Sequence, residues 1–301
     1  MDSLAAAPGT GPATSPLPIL RPARRPRTFR DLPAGRTLVM GILNVTPDSF
    51  SDGGRFTSVD AAVQAGLKMH YDGADLIDVG GESTRPDSVR ISAEEEQQRI
   101  LPVVRALVKA GALVSVDTMN ASTARQAIEA GAALINDVSG RDVDPEMPAL
   151  IARTGVPYVL MHSRGAVRSS DPHADYDSVV EDVLAELVEI RARFYDAGVA
   201  PEQIIVDPGL GFSKNANHDW ELLRAIDRFS ELGHRVLIGA SRKRFLGSLL
   251  AEAGKAAPPL ERDTATAAVS ALAAFHDVWC VRVHDVPGSL AAVKTTAAWK
   301  G

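Results

Sequence analysis

Short apolar runs alternate with longer amphipathic segments along most of the chain. From residue 37 onward, eight mostly apolar runs recur, each followed by a polar or glycine-rich loop and then by a segment with helical spacing. Runs rich in Val, Ile and Leu without alternation are typical of parallel strands that are buried on both faces. The predicted strands are Leu38–Leu43, Leu76–Val79, Leu113–Val116, Ala132–Ile135, Tyr158–Met161, Ile204–Val206, Val236–Ile238 and Val278–Val283.

The segments between these runs are predicted to be helices. Ser92, with Glu95 three residues later, forms a capping-box pattern at the start of one of them. Four helices are followed by the glycine expected of a left-handed C-terminal cap: Gly73, Gly131, Gly155 and Gly198. The predicted helices are Ser58–Asp72, Ser92–Lys109, Ala121–Ala130, Pro145–Thr154, Val179–Ala197, Asn217–Phe229, Asp263–Phe275 and Pro287–Trp299.

Eight strands that alternate with eight helices predict a (β/α)8 TIM barrel. The repeat occupies 265 of the 301 residues, which matches the typical size of this fold, about 250 residues. An open doubly wound sheet is the alternative. No GxGxxG motif follows the first strand, so the usual dinucleotide-binding fingerprint is missing. We therefore expect one barrel domain over residues 37–301.

Composition separates a basic leader from an acidic body. Residues 1–36 are rich in Pro, Ala and Arg and carry a net charge of +4, whereas the whole chain carries −6 and the remainder therefore −10. The leader is predicted to be a disordered tail. The acidic body argues against a nucleic-acid partner, and the lack of a long apolar run argues against a membrane span. A single cysteine, Cys280, excludes an internal disulfide.

Polar side chains follow several predicted strands where apolar ones would suffice for folding. Asp117, Asn136 and Asp207 each stand at the end of a different strand. Such a residue commonly caps the next helix. However, the carboxyl ends of TIM-barrel strands are also where catalytic residues lie. Three such groups at one end of one barrel favour a binding site.

Cationic residues gather at the last two predicted strands. Arg282 and His284 are two residues apart on a strand and so share one face, and Lys243 follows strand 7. A buried arginine needs an anionic partner, which leaves open an ion pair with an aspartate of a neighbouring strand or a site for phosphate. Asn44, at the end of strand 1, either orders the next loop or supplies an oxygen to Mg²⁺. The polar loop 46–54 is a candidate lid.

The chain resembles the dihydropteroate synthases throughout residues 37–299. Two long segments carry most of the resemblance: residues 40–54 read MGILNVTPDSFSDGG, and residues 73–86 read GADLIDVGGESTRP. Shorter matching blocks follow in the same order. They are Ser115–Thr118, Ile135–Gly140, Leu160–His162, Asp207–Phe212, Gly239–Lys243 and Arg282–Val286.

This resemblance implies an enzyme of folate biosynthesis. Such enzymes join 4-aminobenzoate to (7,8-dihydropterin-6-yl)methyl diphosphate and release pyrophosphate, so the expected product is 7,8-dihydropteroate. The resemblance also implies Mg²⁺ as cofactor, small molecules as the only partners beyond a second copy in a homodimer, sulfonamides as competitors, and a cytoplasmic location. Loss of pyrophosphate before attack by the arylamine is the expected mechanism.

The resemblance assigns roles to individual residues. The expected catalytic residues are Asp52, Arg85, Asp117 and Lys243. The expected substrate-binding residues are Phe50, Thr84, Pro86, Asp117, Asn136, Met161, Asp207, Phe212, Lys243, Arg244, Arg282 and His284. Asn44 is the expected metal ligand.

Two departures from the family pattern concern the 4-aminobenzoate pocket. Asp87 stands where many relatives have Gly, and Arg244 stands where many have Ser. Three other functions compete with an active synthase: an inactive pterin-binding paralogue, a pterin-binding domain of a corrinoid-dependent methyltransferase and, least favoured, a generic phosphosugar barrel enzyme. An inactive paralogue is expected to lack catalytic-loop or diphosphate residues, but all of these are present: Asn44, Asp52, Arg85, Arg282 and His284. A methyltransferase domain would not need Arg282 and His284 for a diphosphate.

Overall fold

The computed structural model describes residues 28–46, 58–82, 91–165 and 175–301, and it confirms the predicted TIM barrel. Eight parallel strands close into a barrel in chain order, and β1 pairs with β8 from Leu38 opposite Cys280 onward. The strands are β1 Leu38–Asn44, β2 Leu76–Gly80, β3 Val114–Asp117, β4 Leu134–Asp137, β5 Tyr158–Met161, β6 Ile204–Asp207, β7 Arg235–Ile238 and β8 Cys280–Val283.

Ten α-helices lie in the described residues: α1 Ser58–Tyr71, α2 Ala93–Lys109, α3 Ala121–Glu129, α4 Met147–Thr154, α5 Val179–Asp196, α6 Ala216–Arg224, α7 Ile226–Ser230, α8 Arg244–Leu249, α9 Asp263–Phe275 and α10 Val286–Lys300. The single helix predicted over residues 217–229 is wrong, because Ala225 leaves helical geometry and separates α6 from α7. The short helix α8 was not predicted. None of the helices in the described ranges is long and apolar enough to span a membrane.

The predicted helix ends agree with the structure at most positions. The Ser92 hydroxyl caps α2 by accepting from the Glu95 backbone N–H at 3.2 Å. Each of the four predicted cap glycines has a positive φ, as a left-handed cap requires: Gly73 at 101°, Gly131 at 101°, Gly155 at 69° and Gly198 at 90°. The predicted start of α4 at Pro145 is wrong. This helix begins at Met147, after the Asp144 carboxylate has accepted from the Glu146 N–H.

Inside the barrel, an apolar floor lies below a polar layer. Alternate residues of a strand point to the same face, and one set forms a buried apolar cluster: Leu38, Met40, Leu76, Leu113, Leu134, Val159, Ile205, Leu237 and Cys280. Two residues further along five of these strands stand polar side chains: Asp78, Ser115, Asn136, Asp207 and Arg282. Asp117 follows two residues after Ser115, at the end of β3, and binds Arg282. These six residues, here named the polar layer, lie toward the mouth, the end of the barrel at which the strands finish.

Residues 28–36, predicted to belong to the disordered tail, pack against the opposite end of the barrel. Phe29 stacks on Trp279 with ring centroids 5.6 Å apart, and Arg36 binds Asp75 through two hydrogen bonds of 2.8 Å. Contacts with the barrel thus begin before Thr37, the predicted boundary. The rest of the predicted tail, residues 1–27, lies outside the described residues.

Candidate active site

Arg282 joins two carboxylates within the polar layer. Its Nε donates to Asp78 Oδ2 at 2.6 Å, and its Nη2 donates to Asp117 Oδ2 at 2.7 Å. Burial alone would lower the pKa of Arg282, but the two carboxylates outweigh burial and raise it. Of the two roles that the sequence allows, the ion pair is therefore present. The Arg282 side chain also remains 18% exposed, so it is held in place and still accessible from the mouth.

Asp78 organises the layer, a role that the sequence did not reveal. Its side chain is fully buried and accepts from Arg282, from the Ser115 hydroxyl at 2.5 Å and from the Asn136 amide nitrogen at 2.9 Å. Its only sequence signal is a lone charge inside the apolar run of strand 2. Because Asn136 donates to Asp78 through its nitrogen, the Asn136 side-chain oxygen is the atom that can accept from a ligand.

Asp117 does not cap a helix, which settles the alternative raised by its position after a strand. It ends β3, whereas the backbone N–H of Ala121 at the start of α3 is bound by the Asp144 carboxylate at 3.0 Å. Burial raises the pKa of Asp117 above the ordinary carboxyl value, although the neighbouring Arg282 opposes this rise. Asp117 is thus available as a buried acceptor beside a fixed cation.

Asp137 has a different, structural role. It follows Asn136 and so points to the opposite face of β4. Its carboxylate accepts from the Ser139 backbone N–H and from the Tyr158 hydroxyl, both at 2.7 Å. Burial raises the pKa of Asp137 to about 6, against the effect of these hydrogen bonds. Asp137 therefore holds the turn after β4 and the Tyr158 hydroxyl of β5. Asn136 alone of this pair faces the barrel interior.

Asp207 and Lys243 form a second charged group at the mouth. A Cβ placed on Gly239 would lie 3.9 Å from Asp207 Oδ2 and 4.0 Å from Lys243 Nζ, so both groups lie over this glycine. Burial lowers the pKa of Lys243 to about 8, and Asp207 opposes this. Burial likewise raises the pKa of Asp207, and Lys243 opposes this. The pair thus combines a donor and an acceptor that are both poorly solvated.

Apolar and flanking residues complete this side of the site. Met161 ends β5, is buried and pairs in register with Asp207. The Lys243 ammonium lies 4.7 Å from the centre of the Phe212 ring. Arg242 binds Asp263 through two hydrogen bonds of 2.7 Å. Arg242 is therefore held away from Lys243 by this ion pair, and Arg244 is exposed on the first turn of α8.

Asn44 and His284 lie at the ends of strands that flank the layer. Asn44 ends β1 and pairs in register with Gly80, while His284 follows β8 and contacts the Ser241 hydroxyl through Nδ1 at 2.9 Å. Within the described ranges, no group of three or more His, Cys, Asp or Glu residues is arranged to hold a metal. Five predicted site residues lie outside the described residues: Phe50, Asp52, Thr84, Arg85 and Pro86.

A TIM barrel with buried carboxylates, an amide and two cations at its mouth is an enzyme site for a small polar ligand. Residues 40–284 match the family described as pterin binding enzyme. The dihydropteroate synthase of Mycobacterium leprae is 50% identical over 264 residues, which cover 87% of this chain and 93% of that protein. The chain therefore belongs to the pterin-binding enzyme family and, within it, to the dihydropteroate synthases, which are transferases of folate biosynthesis.

Solved structures show the same fold. The dihydropteroate synthase of Xanthomonas albilineans matches with a TM-score of 0.82 in its complex with 4-aminobenzoic acid and 0.79 in its complex with 7,8-dihydropteroate, at 40% and 39% identity. The enzyme of Yersinia pestis, in a sulfonamide complex, matches with a TM-score of 0.81 at 38% identity. Each comparison covers 88% of this chain and 94% of the solved chain.

Proposed function

We propose that this chain condenses 4-aminobenzoate with (7,8-dihydropterin-6-yl)methyl diphosphate to give 7,8-dihydropteroate and pyrophosphate. The observation that carries the proposal is the polar layer, in which Asp117, Asn136 and Asp207 present acceptors from three different strands. The structure of a relative that is 39% identical has been solved in complex with 7,8-dihydropteroate. That ligand contains both halves that the proposed reaction joins.

In this proposal the pterin ring lies on the polar layer. Its ring N–H and amino groups donate to the carboxylates of Asp117 and Asp207 and to the side-chain oxygen of Asn136. Lys243 donates to an acceptor on the ring. Buried acceptors of this kind discriminate strongly, because a ligand without the matching donors leaves them unpaired. Phe212 and Met161 offer apolar surface to the ring faces.

The diphosphate is assigned to Arg282 and His284, with Mg²⁺ at Asn44. Arg282 can turn part of its guanidinium to a ligand, because it is exposed at 18% while two carboxylates hold it. Asn44 fits the metal, since it offers a hard oxygen at the end of β1 and Mg²⁺ commonly takes one or two protein oxygens together with phosphate and water. When bound, Mg²⁺ would neutralise charge on the leaving diphosphate.

The reaction needs one bond to break and one to form. The methylene C–O bond breaks first, and its electron pair leaves with pyrophosphate, which Arg282 and His284 stabilise. The pterin ring shares the positive charge left on the methylene carbon, and the carboxylates of Asp117 and Asp207 stabilise that cation. The amine of 4-aminobenzoate then forms the C–N bond and loses one proton to solvent. No side chain has to act as a covalent nucleophile.

Residues outside the described ranges are assigned to the second substrate. Phe50, Asp52, Thr84, Arg85 and Pro86 are proposed to close over the site and to form the 4-aminobenzoate pocket, with Asp52 and Arg85 as catalytic residues. Arg244, exposed beside Lys243, is proposed to attract the 4-aminobenzoate carboxylate. Sulfonamides are expected to compete there, since a relative from Yersinia pestis has been solved with one bound. Asp87 is the neighbouring departure from the family pattern.

A homodimer in the cytoplasm completes the proposal. Three large apolar side chains are exposed on the last two long helices: Leu272 at 63%, Phe275 at 53% and Trp299 at 83%. An apolar patch of this kind is typical of an interaction surface. The proposed occupant is the same patch of a second copy. Light scattering should report a dimer for the wild-type chain and a monomer for Trp299→Asp, and a monomeric wild-type chain would contradict the assignment.

Pyrophosphate release is the test of the activity. The purified chain should release pyrophosphate from the pterin diphosphate at a rate that depends on 4-aminobenzoate, and excess EDTA should abolish the release. Asn44→Ala should raise the Mg²⁺ concentration that gives half-maximal rate. If pyrophosphate release is absent while a pterin still binds, the chain is the inactive paralogue and the proposed reaction is wrong.

A further inference from the structure

A fully buried lysine lies directly behind the pterin side of the mouth. Lys214, in the loop between β6 and α6, is 1% exposed. Its Nζ donates to His162 Nδ1 at 2.8 Å and to the Phe212 carbonyl at 2.9 Å. Lysine is almost never fully buried without a partner, because removing its charge from water is costly. Burial lowers the pKa of Lys214 to about 7.

His162 connects this lysine to helix α5. Its Nε2 lies 2.9 Å from Glu186 Oε2, and because its Nδ1 accepts from Lys214, Nε2 must be the protonated nitrogen that donates to Glu186. Burial, together with the charge of Lys214, lowers the pKa of His162 to about 4, so the ring is neutral near pH 7. Arg164 binds Glu186 at 2.7 Å. Lys214, His162, Glu186 and Arg164 thus form one hydrogen-bonded network, whose outer end is held by Arg164.

At the inner end of this network, Lys214 contacts residues that are assigned to substrate binding. Lys214 binds the carbonyl of Phe212, and the Phe212 ring lies 4.7 Å from the Lys243 ammonium. Lys243 also donates to the Leu210 carbonyl in the same loop. A Cβ on Gly209 would lie 1.9 Å from the carbonyl oxygen of His162, the residue after β5, so this loop packs tightly against the end of that strand.

We infer that Lys214 is a positioning residue for the pterin pocket. Lys214 binds both the Phe212 carbonyl and His162, and so fixes loop 208–213. This loop carries the Phe212 ring and the Leu210 carbonyl, which accepts from Lys243. Lys214 acts through these residues and contacts no substrate. The inference rests on the proposed function, because it takes the Asp207–Lys243 side of the mouth as the pterin site. The charged or titratable groups around Lys214 are His162, Glu186, Asp207, Asp219 and Lys243.

Lys214→Met tests this role, because methionine keeps the length of the side chain and removes its donors. A fluorescence titration with 6-hydroxymethylpterin should show affinity about tenfold weaker than wild type, the effect of losing about 1.4 kcal/mol. kcat/KM for the pterin diphosphate should fall by a similar factor, whereas KM for 4-aminobenzoate should change less than about threefold. Lys68→Met, on the exposed face of α1, is the matched control and should change neither constant.

Lys214→Ala supplies a second test that separates positioning from loss of packing. Ethylamine or propylamine can enter the space left by the truncation and donate to His162 and Phe212. Either amine should restore pterin affinity, whereas propanol, of similar size but without the ammonium group, should not. Circular dichroism and thermal unfolding establish that each variant is folded at the assay temperature.

The inference is overturned if folded Lys214→Met binds the pterin like wild type, if it weakens 4-aminobenzoate and pterin equally, or if propanol restores Lys214→Ala as well as the amines do. The binding assay keeps this inference separate from the proposed reaction. A wild-type chain that binds 6-hydroxymethylpterin but releases no pyrophosphate would contradict the reaction. The titrations of the two Lys214 variants would still decide the positioning role.

Discussion

Replacing Arg282 by methionine is expected to destabilise the barrel, because Asp78 and Asp117 would then lie together without a cation. Removing one member of a buried ion pair costs about 3–5 kcal/mol. The Asp78 side chain is 0% exposed and the Arg282 side chain 18%. This partial exposure places the expected loss near the lower end, about 3 kcal/mol. A loss of 1 kcal/mol lowers Tm by about 2–4 °C in a domain of this size, so Tm should fall by about 6–12 °C.

The loss should also depend on pH. Burial already raises the pKa of Asp117, and removal of Arg282 should raise it further. The folded variant then holds a proton that the unfolded chain has released, so its stability falls as the pH rises above the unfolded carboxyl pKa. Scanning calorimetry should therefore find a larger Tm difference from wild type at pH 8 than at pH 5.

The double variant Asp78→Asn/Arg282→Met is the control for this prediction. Asparagine removes one of the two carboxylate charges, so the double variant should recover part of the lost Tm and depend less on pH. A wild-type Tm for Arg282→Met at pH 8, or a Tm difference that grows toward acid pH, would refute the reasoning. Either result would mean that the guanidinium does not compensate these carboxylates.

Three further predictions follow from other contacts. Because burial lowers the pKa of Lys243 to about 8, kcat/KM for the pterin diphosphate should fall as the pH rises through about 8. Lys243→Arg should move this fall to higher pH. If the fall stays at the same pH in the variant, Lys243 is not the group whose titration causes it. Hydrogen bonds from His162 and Arg164 outweigh burial and lower the pKa of Glu186 to about 2. The stability that the Glu186 carboxylate contributes is therefore fully present above the carboxyl pKa of the unfolded chain, and it is lost as the pH falls through about 2. The free energies of unfolding of Glu186→Gln and wild type, measured in urea, should differ at pH 7 and converge near pH 2. Gly209→Ala should destabilise the fold far more than Gly155→Ala in urea unfolding. The two glycines have similar φ values, 71° and 69°, but of the two only Gly209 would place its Cβ against backbone, at 1.9 Å. Equal losses of stability in the two variants would contradict the close packing of loop 208–213.

The barrel could be predicted because its strands are buried on both faces and so form continuous apolar runs. The positions at which these strands end could not be predicted from apolar runs. Asp117 and Asp207 belong to β3 and β6, although the predicted strands end one residue earlier. Aspartate disfavours strands in general, but an inward position at the mouth of a barrel accepts it. Asp117 and Asp207, which the sequence placed just outside the strands, are thus strand residues that the structure brings into the site.

Partners distant along the chain explain what the sequence did not reveal. Arg282 pairs with Asp78 across 204 positions, and Lys214 binds His162 across 52. No spacing pattern links residues so far apart. The sequence therefore placed Asp78 only within a predicted strand and did not single out Lys214. The break at Ala225 between α6 and α7 has no glycine or proline to mark it. Local signals such as the Ser92 cap were predictable because both partners lie within one turn.

A crystal structure of this chain with 7,8-dihydropteroate would test the central claim most directly, namely that the polar layer is the pterin site. The account predicts the pterin ring in the mouth, with its N–H groups about 2.7–3.2 Å from oxygens of Asp117, Asn136 and Asp207 and with Lys243 donating to the ring. A ligand bound elsewhere, or a ring in the mouth that contacts none of these oxygens, would contradict the account.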